Sequence, residues 1–178
     1  MRSYTGLYEP ETLRTVAELG GQGILTNANT IYKFFGSEKT LDEITQWMLD
    51  NSFGMPVFPS IHGKDTRSIV EVGRRLHALD PQRVGVKILS NTQGFSAMRV
   101  LSAEGVRCVA TGMFTYTQAL IAAYSGAVSY THLVDLGQAL GDILMYGGLT
   151  DVKFLGGLPH GGPSFDDVLG ETDGPVLR

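Results

Sequence analysis

Short apolar runs alternate with amphipathic helical segments along most of this chain, and that alternation leaves few folds open to it. Pro10 to Leu19 predicts a helix, opened by a proline suited to a first turn and closed at Gly20-Gly21. Gly23–Thr26 (GILT) reads as a short buried strand. Thr40–Asn51 predicts a helix, because Thr40 followed by Glu43 forms a capping box and Leu41, Ile44 and Met48 make an apolar stripe. The same reading gives a strand over Pro56–Ile61, then a helix over Asp65–Leu79 with Ile69, Val72, Leu76 and Leu79 on one face. Arg83–Leu89 (RVGVKIL) is the strongest strand signal in the chain. A helix over Asn91–Ala103, a strand over Val106–Thr111, a helix over Tyr116–Tyr124 and a strand over Ala127–Thr131 follow. A helix over Leu136–Tyr146 and a strand over Asp151–Leu155 complete the series.

Strands separated by helices imply parallel pairing, and strands apolar on both faces imply a sheet covered on both sides. An open doubly wound sheet and a (β/α) barrel both satisfy this. No G-x-G-x-x-G follows the first strand and no Walker A loop occurs, which lowers the open nucleotide-binding sheet. The count of six or seven strands falls one or two short of a full barrel. From Gly156 the sequence turns Gly- and Pro-rich without periodicity, so residues 156–178 are expected to form an irregular tail on a single domain spanning 1–178.

Composition narrows the function classes. The 178 residues carry a net charge of −4, which argues against a nucleic-acid or anionic-membrane surface as the main partner. No apolar stretch approaches the roughly 18 residues that span a bilayer. The opening MRSYTGLYEP lacks the apolar core of a secretory signal, so a cytoplasmic setting is the expectation. The single cysteine, Cys108, sits in an apolar strand and reads as an inert core thiol. His62, His77, His132 and His160 are too dispersed for a metal set, and His77 reads as a surface residue of its helix. Phe34-Phe35 reads as packing or as an exposed contact spot.

Lys87 is the residue most in conflict with its surroundings. It lies within RVGVKIL, where an ammonium is costly unless paired or neutral. On the inner face of a barrel it would be desolvated, its pKa would fall, and it could attack a carbonyl to form a Schiff base. The plain alternative is a lysine near a strand end that snorkels to water. Thr26-Asn27, Ser60, Thr111 and Thr131 each close an apolar run. Together they read as polar groups at the C-terminal mouth of a barrel; singly, each reads as a turn or cap residue.

The stretch GVKILSNTQGFSAMRVLSAEGVRCVATGMFTYTQALIAAYSGA resembles the small transaldolase/fructose-6-phosphate aldolase family. There a strand ending V-K-x-P leads into a T-x-x-G helix, then L-x-x-E-G, a strand ending in Thr, and Q-A-L-x-A-A-x-A-G-A. LTNANTI (Leu25–Ile31) resembles the family's T-N-P-S segment, and GKDTRSIVEVGRRL its third helix. The resemblance implies an α/β (β/α) TIM barrel of the class I aldolase type, incomplete here at its C-terminal end. It implies an enzyme that needs no cofactor or metal and acts on a ketose phosphate such as fructose 6-phosphate. A dihydroxyacetone unit would be released or transferred through a lysine imine. Lys87 matches the Schiff-base lysine, Thr111 a threonine that helps hold substrate and water, and Asn27 with Thr26 a substrate-binding pair. A homo-oligomer is the expected state.

The pattern is not complete. Ser3-Tyr4-Thr5-Gly6 stands where the family's first strand carries an Asp, and Ala28-Asn29 replaces Pro-Ser. Neither a second Tyr nor an Arg occurs between Tyr130 and Leu136, and Leu158 stands where a phosphate-binding Ser is expected. These departures leave a second expectation open: a catalytically impaired barrel that serves only in binding or assembly.

Overall fold

The computed structural model describes residues 4–133. The helix expected over 136–146, the strand over 151–155 and the tail from 156 lie outside the described residues. Within them the order is α1 (Pro10–Glu18), β1 (Ile24–Leu25), α2 (Ala28–Phe35), α3 (Leu41–Asp50), β2 (Val57–Phe58) and β3 (Ser60–Ile61). Then come α4 (Thr66–His77), β4 (Val86–Leu89), α5 (Thr92–Ala103), β5 (Cys108–Met113), α6 (Tyr116–Tyr124) and β6 (Ala127–Leu133).

Every strand pairing among the described residues is parallel. β1 pairs with β2, and β3, β4, β5 and β6 lie side by side in that order. Single bridges from Thr5 to Ile24 and from Val57 to Val84 join these into one continuous arc. The run Pro56–Ile61, expected as one strand, is split at Pro59, whose ring removes a ladder donor. β2 and β3 are therefore two halves of one stave. Parallel staves separated by helices are the (β/α) barrel pattern.

The two faces of the arc differ in what they bury. Val57, Ile61, Val86, Ile88, Cys108 and Ala110 belong to one apolar cluster with helix residues Ile44, Met48, Ile69, Leu76, Met98 and Leu101. That is the outer, helix-covered face. Phe58 and Val109 are also buried but stand outside this cluster, on the inner face. The buried Phe58 ring lies on the inner face toward the N-terminal end of the arc. Tyr4 meets it edge-on at 5.6 Å between centroids, and the Arg107 guanidinium lies 5.5 Å from its centre. Gly85 is required here: a Cβ at that position would come 2.5 Å from both the Phe58 ring and the Arg107 carbonyl oxygen. In the barrel pattern a site lies above this level, toward the C-terminal ends of the strands.

The helices form where capping chemistry and apolar spacing coincide. The Thr40 hydroxyl accepts from the Glu43 N–H at 3.3 Å while Glu43 accepts from the Thr40 N–H at 2.8 Å, the expected capping box of α3. Asp65 and Ser68 do the same for α4, and Thr115 and Gln118 for α6. α4 ends at His77, so Leu79 falls outside it and is 41% exposed. His77 itself is not a free surface residue: its Nδ1 lies 2.7 Å from the Val84 carbonyl oxygen, tying α4 to the entry of β4. The helix α2 has no counterpart among the sequence-based expectations, in which Thr26-Asn27 reads as a turn or a mouth pair. Its Phe34 and Phe35 rings pack on Trp47 of α3 at 5.1 and 5.2 Å, so they are packing residues.

Candidate active site

Register places the inner-face residues in layers. Ser60 pairs with Lys87, Lys87 with Val109, and Val109 with Ser129. One layer toward the C-terminal ends, Leu89 pairs with Thr111 and Thr111 with Thr131. Side chains two apart share a face, so Phe58, Ser60 and His62 rise along one stave, and Gly85, Lys87 and Leu89 along the next. Lys87 thus stands one layer above the Phe58 floor and one below the rim, where Leu89 is 43% exposed.

Lys87 is 4% exposed. Its backbone N–H donates to the Pro59 carbonyl at 2.9 Å, which holds β4 against the break in the neighbouring stave. Among the described residues no carboxylate lies within ion-pair distance of its ammonium; the ion pairs present join other side chains. Burial pushes the Lys87 amine below the ordinary lysine range. The sequence alternatives are thereby separated: this lysine does not snorkel to the surface.

The other expected residues divide. Thr26, 1% exposed, and Ser60, 6% exposed, meet directly: the Thr26 hydroxyl accepts the Ser60 backbone N–H at 2.9 Å. Ser60 opens β3 rather than ending a strand, because Pro59 moves the break ahead of it. Thr111 is half-buried and lies within β5, which runs on to Met113; Thr131 likewise lies within β6, which runs on to Leu133. Both therefore occupy the rim layer by register and do not end their strands. Asn27 is exposed, and its side-chain oxygen accepts from the Thr30 N–H at 2.9 Å, capping α2. That is the cap reading of Asn27, and the structure brings the carbonyl of its amide to the helix.

Two residues near the lysine are not marked as site residues by sequence reasoning. His62 lies beyond the end of β3, with Nε2 3.4 Å from the Ser60 hydroxyl oxygen. The period-two spacing of Phe58, Ser60 and His62 is the signal that could have found it. Ser90, directly after β4, is 3% exposed and its hydroxyl has no hydrogen-bond partner among the described residues. Its backbone is fixed on both sides, the N–H by the Thr111 carbonyl at 2.8 Å and the carbonyl by the Gln118 amide at 3.2 Å. No group of three or more His, Cys, Asp or Glu residues is arranged to hold a metal among the described residues.

The transaldolase/fructose-6-phosphate aldolase family model matches residues 39–132, the span that carries Ser60, Lys87, Thr111 and Thr131. The chain belongs to this family. A probable transaldolase of Thermus thermophilus is 33% identical over 133 residues, covering 71% of this chain and 59% of the relative. A probable transaldolase of Thermoplasma volcanium is 36% identical over 120 residues, covering 65% of this chain and 53% of the relative. The chain thus spans between half and three-fifths of the length of these transaldolase relatives. Among solved structures, a 2,3-dimethylmalate lyase of the PEP mutase/isocitrate lyase superfamily superposes with a TM-score of 0.51 at 13% identity. It covers 72% of this chain and 57% of that one. PhdJ bound to a substrate intermediate gives 0.51 at 18% identity, covering 75% and 53%. These two likenesses are of fold alone.

Proposed function

We propose that this chain performs class I aldolase chemistry on phosphorylated ketoses, with Lys87 as the nucleophile. The neutral amine adds to the ketone carbon, water leaves, and a protonated imine remains on the lysine. The imine nitrogen then accepts the electron pair of the breaking C3–C4 bond. An aldehyde departs and a dihydroxyacetone unit stays on the lysine as the enamine. Protonation and hydrolysis release it, or an acceptor aldehyde takes it.

The observation that carries this reading is the position of Lys87. A buried amine is costly to a fold, yet here one stands on the inner face with no ion-pair partner among the described residues, one layer above Phe58 and one below the exposed Leu89. Thr26, Ser60, Thr111 and Thr131 supply the surrounding polar groups in this proposal, with Asn27 at the edge. Thr111 would share the substrate and the water with the lysine. Membership of the transaldolase family supports the same chemistry and extends the reading to a cytoplasmic, self-associating enzyme.

Borohydride trapping tests it. The protein is incubated with dihydroxyacetone or fructose 6-phosphate, reduced with sodium borohydride, and digested for mass spectrometry. The expected result is a mass gain on the peptide containing Lys87 that disappears in Lys87→Met. No gain with either ketose would mean that the lysine is not a Schiff-base nucleophile.

A further inference from the structure

The cleavage step needs a group that removes the proton from the C4 hydroxyl as the C3–C4 bond breaks. Lys87 cannot serve, because its nitrogen is already committed to the imine. Inner-face residues of the described staves offer few titratable alternatives. The layer at Lys87 holds Ser60, Val109 and Ser129, none of which titrates near neutrality. Asp65, just past the mouth of the same stave, is committed as the N-cap of α4, one of its carboxylate oxygens accepting the Ser68 N–H at 2.8 Å. His62 is different. It is exposed, it lies on the rim side of Ser60, and its Nε2 is 3.4 Å from the Ser60 hydroxyl. Ser60 is the register partner of Lys87, and adjacent strands run about 4.8 Å apart. The imidazole therefore stands over the lysine's neighbour, on the side from which substrate enters.

We propose that His62 is the proton-transfer residue of the Lys87 site, taking the C4 hydroxyl proton of the imine-bound ketose during cleavage. The inference rests on the Schiff-base reading above. In the step, the imidazole nitrogen accepts the hydroxyl proton, the C4 oxygen forms the aldehyde carbonyl, and the C3–C4 electron pair passes through C2 to the imine nitrogen. The products are the free aldehyde, a neutral enamine on Lys87 and an imidazolium at His62. The imidazolium returns its proton to C3 of the enamine, which regenerates the imine for hydrolysis. No oxidant, metal or further reactant enters the balance.

The test compares wild type, His62→Ala and His62→Gln, reading borohydride trapping with dihydroxyacetone beside cleavage of fructose 6-phosphate. The expected result is trapping at Lys87 in all three. Cleavage by both variants is expected to fall by about 100-fold or more, the usual contribution of a positioned acid–base group. Added imidazole should restore part of the His62→Ala loss, which a merely structural role would not permit. Cleavage by either variant within threefold of wild type overturns the proposal, and so does a loss that imidazole leaves unchanged. Wild type that is never trapped overturns the lysine reading itself, and this inference falls with it; trapping that survives while His62 proves dispensable overturns the histidine alone.

Discussion

The Thr26 hydroxyl accepts the Ser60 backbone N–H at 2.9 Å, bridging from the end of β1 to the start of β3 across the interruption at Pro59. A proline in a central stave costs a ladder bond. Here a side chain supplies the bond that the break would otherwise leave unmade, beside the register position of Lys87. Both residues are buried, so water cannot substitute.

Thr26→Val keeps the branched shape and removes the acceptor. The Ser60 N–H is then buried without a partner, a loss expected to cost about 1–3 kcal/mol. Urea unfolding should show a lower midpoint with an unchanged slope. An unchanged midpoint would mean that the N–H finds another acceptor and that the Thr26 bond is incidental.

Gly85→Ala should be more damaging than its size suggests. The new methyl would approach both the buried Phe58 ring and the backbone Arg107 carbonyl oxygen at 2.5 Å. Overpacking of this kind typically costs about 1–3 kcal/mol. The same unfolding measurement checks it, with an Ala substitution at exposed Gly36, where a Cβ would meet no atom within 4 Å, as a contrast. Gly36 carries its own backbone penalty at φ 70°, so the comparison separates crowding from conformation: only Gly85→Ala should also disturb the Tyr4 and Phe58 ring environment, seen in near-ultraviolet circular dichroism.

Much of this architecture is readable in the residues themselves. The helices α3 to α5 are legible because their apolar residues recur at helical spacing, and at α3 the Thr40–Glu43 capping box agrees with the stripe. Strand limits are less legible, since β-branched character continues past the hydrogen-bonded span. Arg83–Gly85 looks like strand, but Arg83 turns to bond Asp80 at 2.7 Å and β4 begins only at Val86. The helix α2 is hidden because its first residues, Ala28, Asn29 and Thr30, look like a loop, and the Phe34 and Phe35 contact with Trp47 that stabilises it is tertiary. At the site, Lys87 stands out because a charge in an apolar strand has a physical cost that sequence alone exposes. His62 is marked only by its period-two spacing with Phe58 and Ser60, and the pairing of Ser60 with Lys87 is what gives that spacing meaning.

Cys108 should be silent to thiol reagents in the native protein. It is fully buried at the start of β5, and burial pushes its thiol up to about 12, so almost no thiolate exists at neutral pH. Reaction with a chromogenic disulfide should therefore be slow in buffer and complete in urea, at a rate that follows opening of the fold. Rapid labelling of native protein would show that β5 is not packed beneath its helices as described.

The stability of the fold should depend on pH through Lys87 itself. Lys87 has a folded pKa below the ordinary value of 10.5, with burial as the cause, whereas the unfolded chain titrates at the ordinary value. Between the two values the unfolded state holds a proton that the folded state has lost, so the stability attributable to this group rises with pH across that interval. Below the interval both states are protonated and the buried ammonium destabilises the fold to its full extent. Lys87→Met removes the charge and keeps an unbranched, apolar side chain of similar reach. The variant should exceed wild type in stability at pH 7, and its advantage should shrink as pH rises toward 10.5. Urea midpoints taken at intervals from pH 7 to pH 10 give the difference directly, since every other titrating group is common to both proteins. A gap that stays constant across that range would mean that the amine keeps its water in the folded state, and with it the ordinary, unreactive character of a surface lysine.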